Sequence, residues 1–160
     1  MVHSVSEWKI RAADAGDEDG LVFHWLKSFA HSQYGRARGA DVDRSPAELA
    51  YWEQHRHLVM SLLRSCDVSL VVDPAAPYVF WAMLCAEENR VHYILAKRIW
   101  HNADRDDGTT EVASMFRALL GPRLETAQSV SHELPELRRA GMRMPLAWRL
   151  DPYAAFRRAA

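Results

Sequence analysis

The sequence predicts an α/β domain, a central, mostly antiparallel mixed sheet flanked by about four helices. Three observations lead there. The hydrophobic period changes from helical to extended after Cys66. Three extended runs, Asp67–Val72, Tyr78–Ala86 and Val91–Ala96, then follow one another across short turns, which makes an antiparallel meander the natural arrangement. Amphipathic helical stripes stand on both sides of those runs. A chain of 160 residues, 49% hydrophobic and 26% charged, suits one domain, residues 1–160, with one core.

The elements follow in order. Trp8 to Ala13 alternates apolar and polar, with Trp8, Ile10 and Ala12 on one face, as a half-buried strand does. Asp17-Glu18-Asp19 places negative charge where a helix dipole is positive, and Val22, Trp25, Leu26 and Phe29 continue at helical spacing to about Tyr34. Ser45-Pro46-Ala47-Glu48 is a capping box with proline at the first helical position. Leu49, Trp52, Arg56, Val59 and Leu63 mark one stripe of the second helix, widened by Leu58 and Leu62. In the meander, Tyr78–Ala86 is apolar throughout, as a strand covered on both faces would be. Val112, Met115, Phe116 and Leu119 define a third helix ending near Gly121-Pro122. Thr126–His132 reads as a strand, Leu134–Ala140 as a short helix stopped by Gly141, and Met144–Leu150 as the last strand.

Composition excludes several classes. A formal net charge of -1 argues against a nucleic-acid partner, whose phosphates call for a basic surface. No apolar run reaches the about 20 residues that span a bilayer, so no membrane partner is expected. Met1 to Trp8 lacks the basic start and apolar stretch of a secretory signal. Cys66 and Cys85 stand far apart in no paired motif, so a soluble protein of the reducing cytoplasm is expected. No metal site is expected either. His24 and His31 lie about 10 Å apart along one helix, and His55 and His57 point in different directions, so both pairs read as surface or partly buried histidines. The arginines 138, 139, 143, 149, 157 and 158 are spread over different elements and read as solvated charge.

This order of elements resembles the GCN5-related N-acetyltransferase fold over nearly the whole chain. Ile10-Arg11-Ala12-Ala13, the acidic helix start and Trp25-Leu26-Lys27-Ser28 look like that family. His92-Tyr93-Ile94-Leu95-Ala96-Lys97 is similar to the fourth strand of small acetyltransferase-like proteins of bacteriophages and bacteria. The family's Q/R-x-x-G-x-G/A loop falls on Arg105-Asp106-Asp107-Gly108-Thr109-Thr110. Arg105 and Gly108 match, threonine replaces the final small residue, and the connection from Arg98 to Asp104 is longer than usual.

The resemblance implies acetyl-coenzyme A as cofactor. Arg105, Gly108, Thr109 and Thr110 would hold its pyrophosphate at a helix N-terminus, and Ile94, Leu95 and Ala96 would flank its thioester. Asp106 and Asp107 oppose this, since a carboxylate about 4 Å from a phosphate costs about 1 kcal/mol even in water. The family's Y-x-x-x-G-F tyrosine, a proton donor, falls on Leu137, which cannot donate. Glu87, Glu88 and His92 are candidate bases, against the plainer readings of solvated turn glutamates and a core histidine; the catalytic residue stays open. Two functions are compatible with this reading. One is an acyl-coenzyme A-dependent N-acetyltransferase acting on an unidentified amine, small molecule or protein. The other is a catalytically inactive binding or interaction protein of the same fold, phage- or prophage-encoded.

Overall fold

The structure is a computed structural model and describes residues 7–30, 46–97, 100 and 110–159. It is an α+β fold with a mixed, six-stranded sheet flanked by helices. The strands are β1 (Lys9–Ala12), β2 (Asp67–Asp73), β3 (Ala76–Ala86), β4 (Arg90–Ala96), β5 (Ser129–Val130) and β6 (Arg149–Leu150). The helices are α1 (Glu18–Ala30), α2 (Pro46–Ser65), α3 (Glu111–Leu120), α4 (Arg123–Thr126), α5 (Pro135–Arg139) and α6 (Tyr153–Ala159). The strands lie side by side in chain order. β1 to β4 are antiparallel, and β4–β5 and β5–β6 are parallel. Each parallel step needs a crossover, supplied by α3 with α4 and then by α5.

The expected six strands and four helices occur in the expected order, with two further short helices, and the meander lies in the middle of the sheet. Local physics explains the boundaries. A one-turn 3-10 helix, Ala15–Asp17, precedes α1: Asp14 Oδ1 accepts from the Gly16 amide, and Asp17 Oδ2 accepts from the Asp14 amide. Gly121 ends α3 at φ 49° and Gly141 follows α5 at φ 74°, left-handed conformations that glycine adopts without a Cβ clash. Pro46 opens α2 as expected; Ser45 lies outside the described residues.

Several expectations are corrected. β1 is an edge strand, and Ile10 and Ala12 on its expected inward face are exposed while Arg11 between them is the more covered residue. β3 is covered only from Phe80 onward, and Tyr78 is 80% exposed. The buried stripe of α2 is Trp52, His55, Val59 and Leu62, with Leu58 beside it; Arg56 and Leu49 face outward. The apolar stripe alone tolerated either register, and the tertiary contact with Phe29 selects the one that buries His55. Thr126–His132 and Met144–Leu150 contribute two strand residues each, and α4 and α6 were not foreseen.

The core is one contiguous cluster. α3 covers β2 and β3 through Val112, Met115 and Phe116, while α1 packs on β4 and α2. Trp25 of α1 stacks on Tyr93 of β4 with ring centroids 4.8 Å apart and planes 7° from parallel. No helix among the described residues is long and apolar enough to cross a membrane.

Candidate functional site

β4 organises the site. Its register against β3 shifts between Cys85 and Ala86: Cys85 lies opposite Tyr93, Ala86 opposite Val91, and His92 faces no partner. Such a bulge re-aims the side chain it carries. His92 turns toward the β3–β4 turn on one side and the end of β5 on the other, and is fully buried.

On its other edge β4 pairs with β5 only at Arg90 and Val91. The strands part there, with a last bond from the Ser131 amide to the Val91 carbonyl at 3.1 Å. Ile94, Leu95 and Ala96 therefore lie in the half of β4 that β5 does not reach, buried and paired to β3. Thr110 caps α3, its Oγ1 accepting from the Ala113 amide at 3.1 Å and donating to the Ala140 carbonyl at 3.3 Å. Arg105, Gly108, Thr109 and the two aspartates between them lie outside the described residues. Glu111, the first residue of α3, is buried and accepts from Trp8 Nε1 at 2.7 Å. The chain thus sets its own carboxylate at the positive end of that helix.

A hydrogen-bonded chain starts at Glu87. Its Oε2 lies 2.9 Å from His92 Nε2, His92 Nδ1 lies 2.7 Å from Ser131 Oγ, and Ser131 Oγ lies 2.8 Å from His132 Nδ1. Arg90 Nη1 also approaches Glu87 Oε2, at 3.4 Å. A carboxylate only accepts, so His92 donates through Nε2. A neutral His92 then accepts at Nδ1 from the Ser131 hydroxyl, whose oxygen accepts from His132 Nδ1. His132 is left with its lone pair on Nε2. Burial, with His55 and His92 nearby, holds His132 well below the ordinary histidine pKa, so its ring is neutral.

His132 and Ser131 line a cavity of about 190 Å³ walled by Phe29, Tyr51, His55, Leu58 and Phe156. His55 stacks on Phe29 with centroids 4.7 Å apart, and burial pulls its pKa to about 4. Its Nε2 has no hydrogen-bond partner among the described residues.

At the Glu87 end, the Cys66 thiol joins the group: one ligand atom each from Cys66, Glu87 and His92 lie within 4.8 Å of one another. Cys66 is half-buried and lies on the wall of a cleft of about 830 Å³ with Asp14, Glu18, Arg64, Asp67 and Arg123. The nearness of Cys85, and then of His92, pulls the Cys66 pKa down against its burial; Cys66 and burial push Cys85 up.

Of the residues singled out from sequence, Glu87 and His92 meet, whereas Glu88 has no bond to this chain among those described. Leu137, at the tyrosine position, is 3% exposed in the core. Tyr93 does not replace it: its hydroxyl lies 2.9 Å from Ser28 Oγ, and burial raises its pKa. Ser131, His132 and His55 were missed as a site. A strand ending in Ser-His beside a bulged histidine was the available signal, but the bulge is invisible to periodicity.

No family model and no curated protein matches the chain. Among solved structures, the chain is similar to the apo form of YjaB from Escherichia coli, with a TM-score of 0.48 and 13% identity over 76% of this chain and 67% of that one.

Proposed function

We propose that the chain is a diverged GCN5-related N-acetyltransferase-like enzyme that transfers an acetyl group to an amine held beside His132. The observation that carries this reading is the unbroken bond chain from Glu87 through His92 and Ser131 to His132, ending at a cavity just past β5, walled by α1, α2 and α6.

Acetyl-coenzyme A, bound along Ile94 to Ala96 with Thr110 at its phosphate end, would supply a thioester carbonyl. The fit is good along β4, whose edge meets no strand beyond Val91 among the described residues. It is poorer at α3, where Glu111 already occupies the first turn. The rest of the chemistry belongs to the chain. An aromatic, water-poor cavity favours the neutral, nucleophilic form of an amine over its ammonium. His132 Nε2 takes the proton that the amine sheds as its C–N bond forms and the C–S bond breaks. His132 Nδ1 then passes a proton to Ser131, Ser131 to His92, and His92 to Glu87 at the turn. With leucine at position 137, the departing thiolate takes its proton from solvent. The volume of about 190 Å³ holds about six waters, so the acceptor enters as a small amine or the end of a side chain.

A second reading, a binding protein without catalysis, is supported by buried Leu137 at the proton-donor position and by Glu111 at α3. Calorimetric titration with acetyl-coenzyme A, paired with thiol release in the presence of a panel of primary amines, separates the two. Binding with amine-dependent thiol release supports the enzyme. Neither heat nor release with any amine sinks it in favour of the second reading.

A further inference from the structure

We propose that Cys66, Glu87 and His92 bind one divalent metal ion of the zinc class, with a fourth position open to the neighbouring cleft. This site goes beyond the acyl-transfer reading and does not depend on it. Separate elements deliver the three donors: the link from α2 to β2 gives the sulfur, the β3–β4 turn the carboxylate, and the bulge of β4 the imidazole. Sulfur, nitrogen and carboxylate oxygen are the donors zinc selects. In a tetrahedral zinc site such donors sit roughly 3.5 Å apart, given bonds of about 2.0–2.3 Å. Here they lie within 4.8 Å, and the Glu87–His92 pair is at 2.9 Å. Three protein ligands with a fourth position open is the pattern of reactive zinc sites.

The surroundings support the site. His92 is held from behind by Ser131, as a metal-bound imidazole usually is held through its second nitrogen. A thiolate and a carboxylate balance a divalent charge. The opposing feature is Arg90, whose 3.4 Å contact with Glu87 must loosen when the carboxylate turns to a cation. Cys66 lines the cleft, so an ion has a route in.

Binding has a consequence for the bond chain, and this part alone rests on the acyl-transfer reading. A metal on His92 Nε2 moves the ring proton to Nδ1, which then donates to Ser131. Ser131 donates to His132 Nδ1, and His132 Nε2 carries a hydrogen where the base needs a lone pair. The metal reverses the chain and silences His132.

The test is titration of the full chain with cobalt(II), in a phosphine reductant and without chelator. One cobalt per chain, with a sulfur-to-cobalt charge-transfer band that zinc abolishes, is expected. Cys66→Ser should remove the band and weaken binding by more than about 100-fold, beyond the usual cost of losing a supporting residue. Asp67→Asn, outside the trio on the same cleft, should change neither. Circular dichroism shows that each variant is folded. No charge-transfer band in the wild type, or tight binding that survives Cys66→Ser, overturns the site. The imidazole ¹⁵N shifts of His132 read the reversal without any activity: zinc should move its proton from Nδ1 to Nε2, and an unchanged tautomer refutes that step while a cobalt band still establishes the metal.

Discussion

The Ser131 hydroxyl oxygen lies 2.7 Å from Nδ1 of His92, and through this bond the buried histidine of the sheet reaches a second histidine at a cavity. In acetyl transfer through this chain, Ser131→Ala should interrupt proton transfer without removing the base. The kcat for acetyl transfer should fall by about 100-fold, the scale of positioned general-base catalysis, with KM little changed. A pH–rate profile for the variant should lose the acid limb set by the coupled groups. Equal rates for both proteins would show that His132 works alone or not at all.

His55 predicts the pH dependence of stability. Its folded pKa, about 4, lies below the ordinary value of 6.5, so the unfolded chain binds its proton first as pH falls. Stability is therefore complete above about pH 6.5 and erodes on acidification toward about pH 4, by about 3 kcal/mol for this group. His132 acts in the same direction. His55→Phe keeps a ring against Phe29 and removes the titrating nitrogen, so urea midpoints should depend less steeply on pH. An unchanged slope would locate the acid sensitivity elsewhere.

Arg11 and Asp17 tie β1 to the start of α1 through paired bonds of 2.7 and 2.8 Å. The guanidinium holds the Asp17 carboxyl below its usual range. Its contribution is present above the unfolded carboxylate pKa and is lost as pH falls through the lower folded value. Asp17→Asn should cost about 1 to 2 kcal/mol at neutral pH, the scale of a part-buried, charge-assisted pair, and little in strong acid. Chemical denaturation at the two pH values measures the difference.

Glu111 should oppose coenzyme A. Glu111→Gln keeps an acceptor for Trp8 Nε1 and removes the charge at the first turn of α3. Calorimetry should show tighter binding of coenzyme A at low salt, with the gain shrinking as screening shortens to about 8 Å at physiological ionic strength. Weaker binding by the variant would show that Glu111 organises the site instead of opposing its ligand.

Much of the fold was legible because its signals are local. Acidic residues before Leu21 to Phe29, Pro46 at a helix start and Gly141 at a helix end act within one turn of themselves. The long apolar run of β3 signalled burial, but not that Tyr78 extends past the covered part of the sheet, since coverage depends on helices distant in sequence. β5 and β6 were overextended for a related reason. Their β-prone flanks find no partner strand, and propensity alone cannot report that.

By itself the sequence determined the class of fold, the order of its six strands and four of its helices, and the placement of Glu87 and His92 at the turn and strand that carry them. Periodicity, caps and turn residues act over a few neighbours, and these features need nothing more. Only the tertiary structure decided that His92 sits in a bulge, that His55 rather than Arg56 faces the core, and that Cys66, Glu87, Ser131 and His132 gather around one imidazole. Those residues are up to 66 positions apart (132 less 66 in chain number). Their meeting rests on strand register and crossover packing, which are settled by the sum of contacts over the whole sheet.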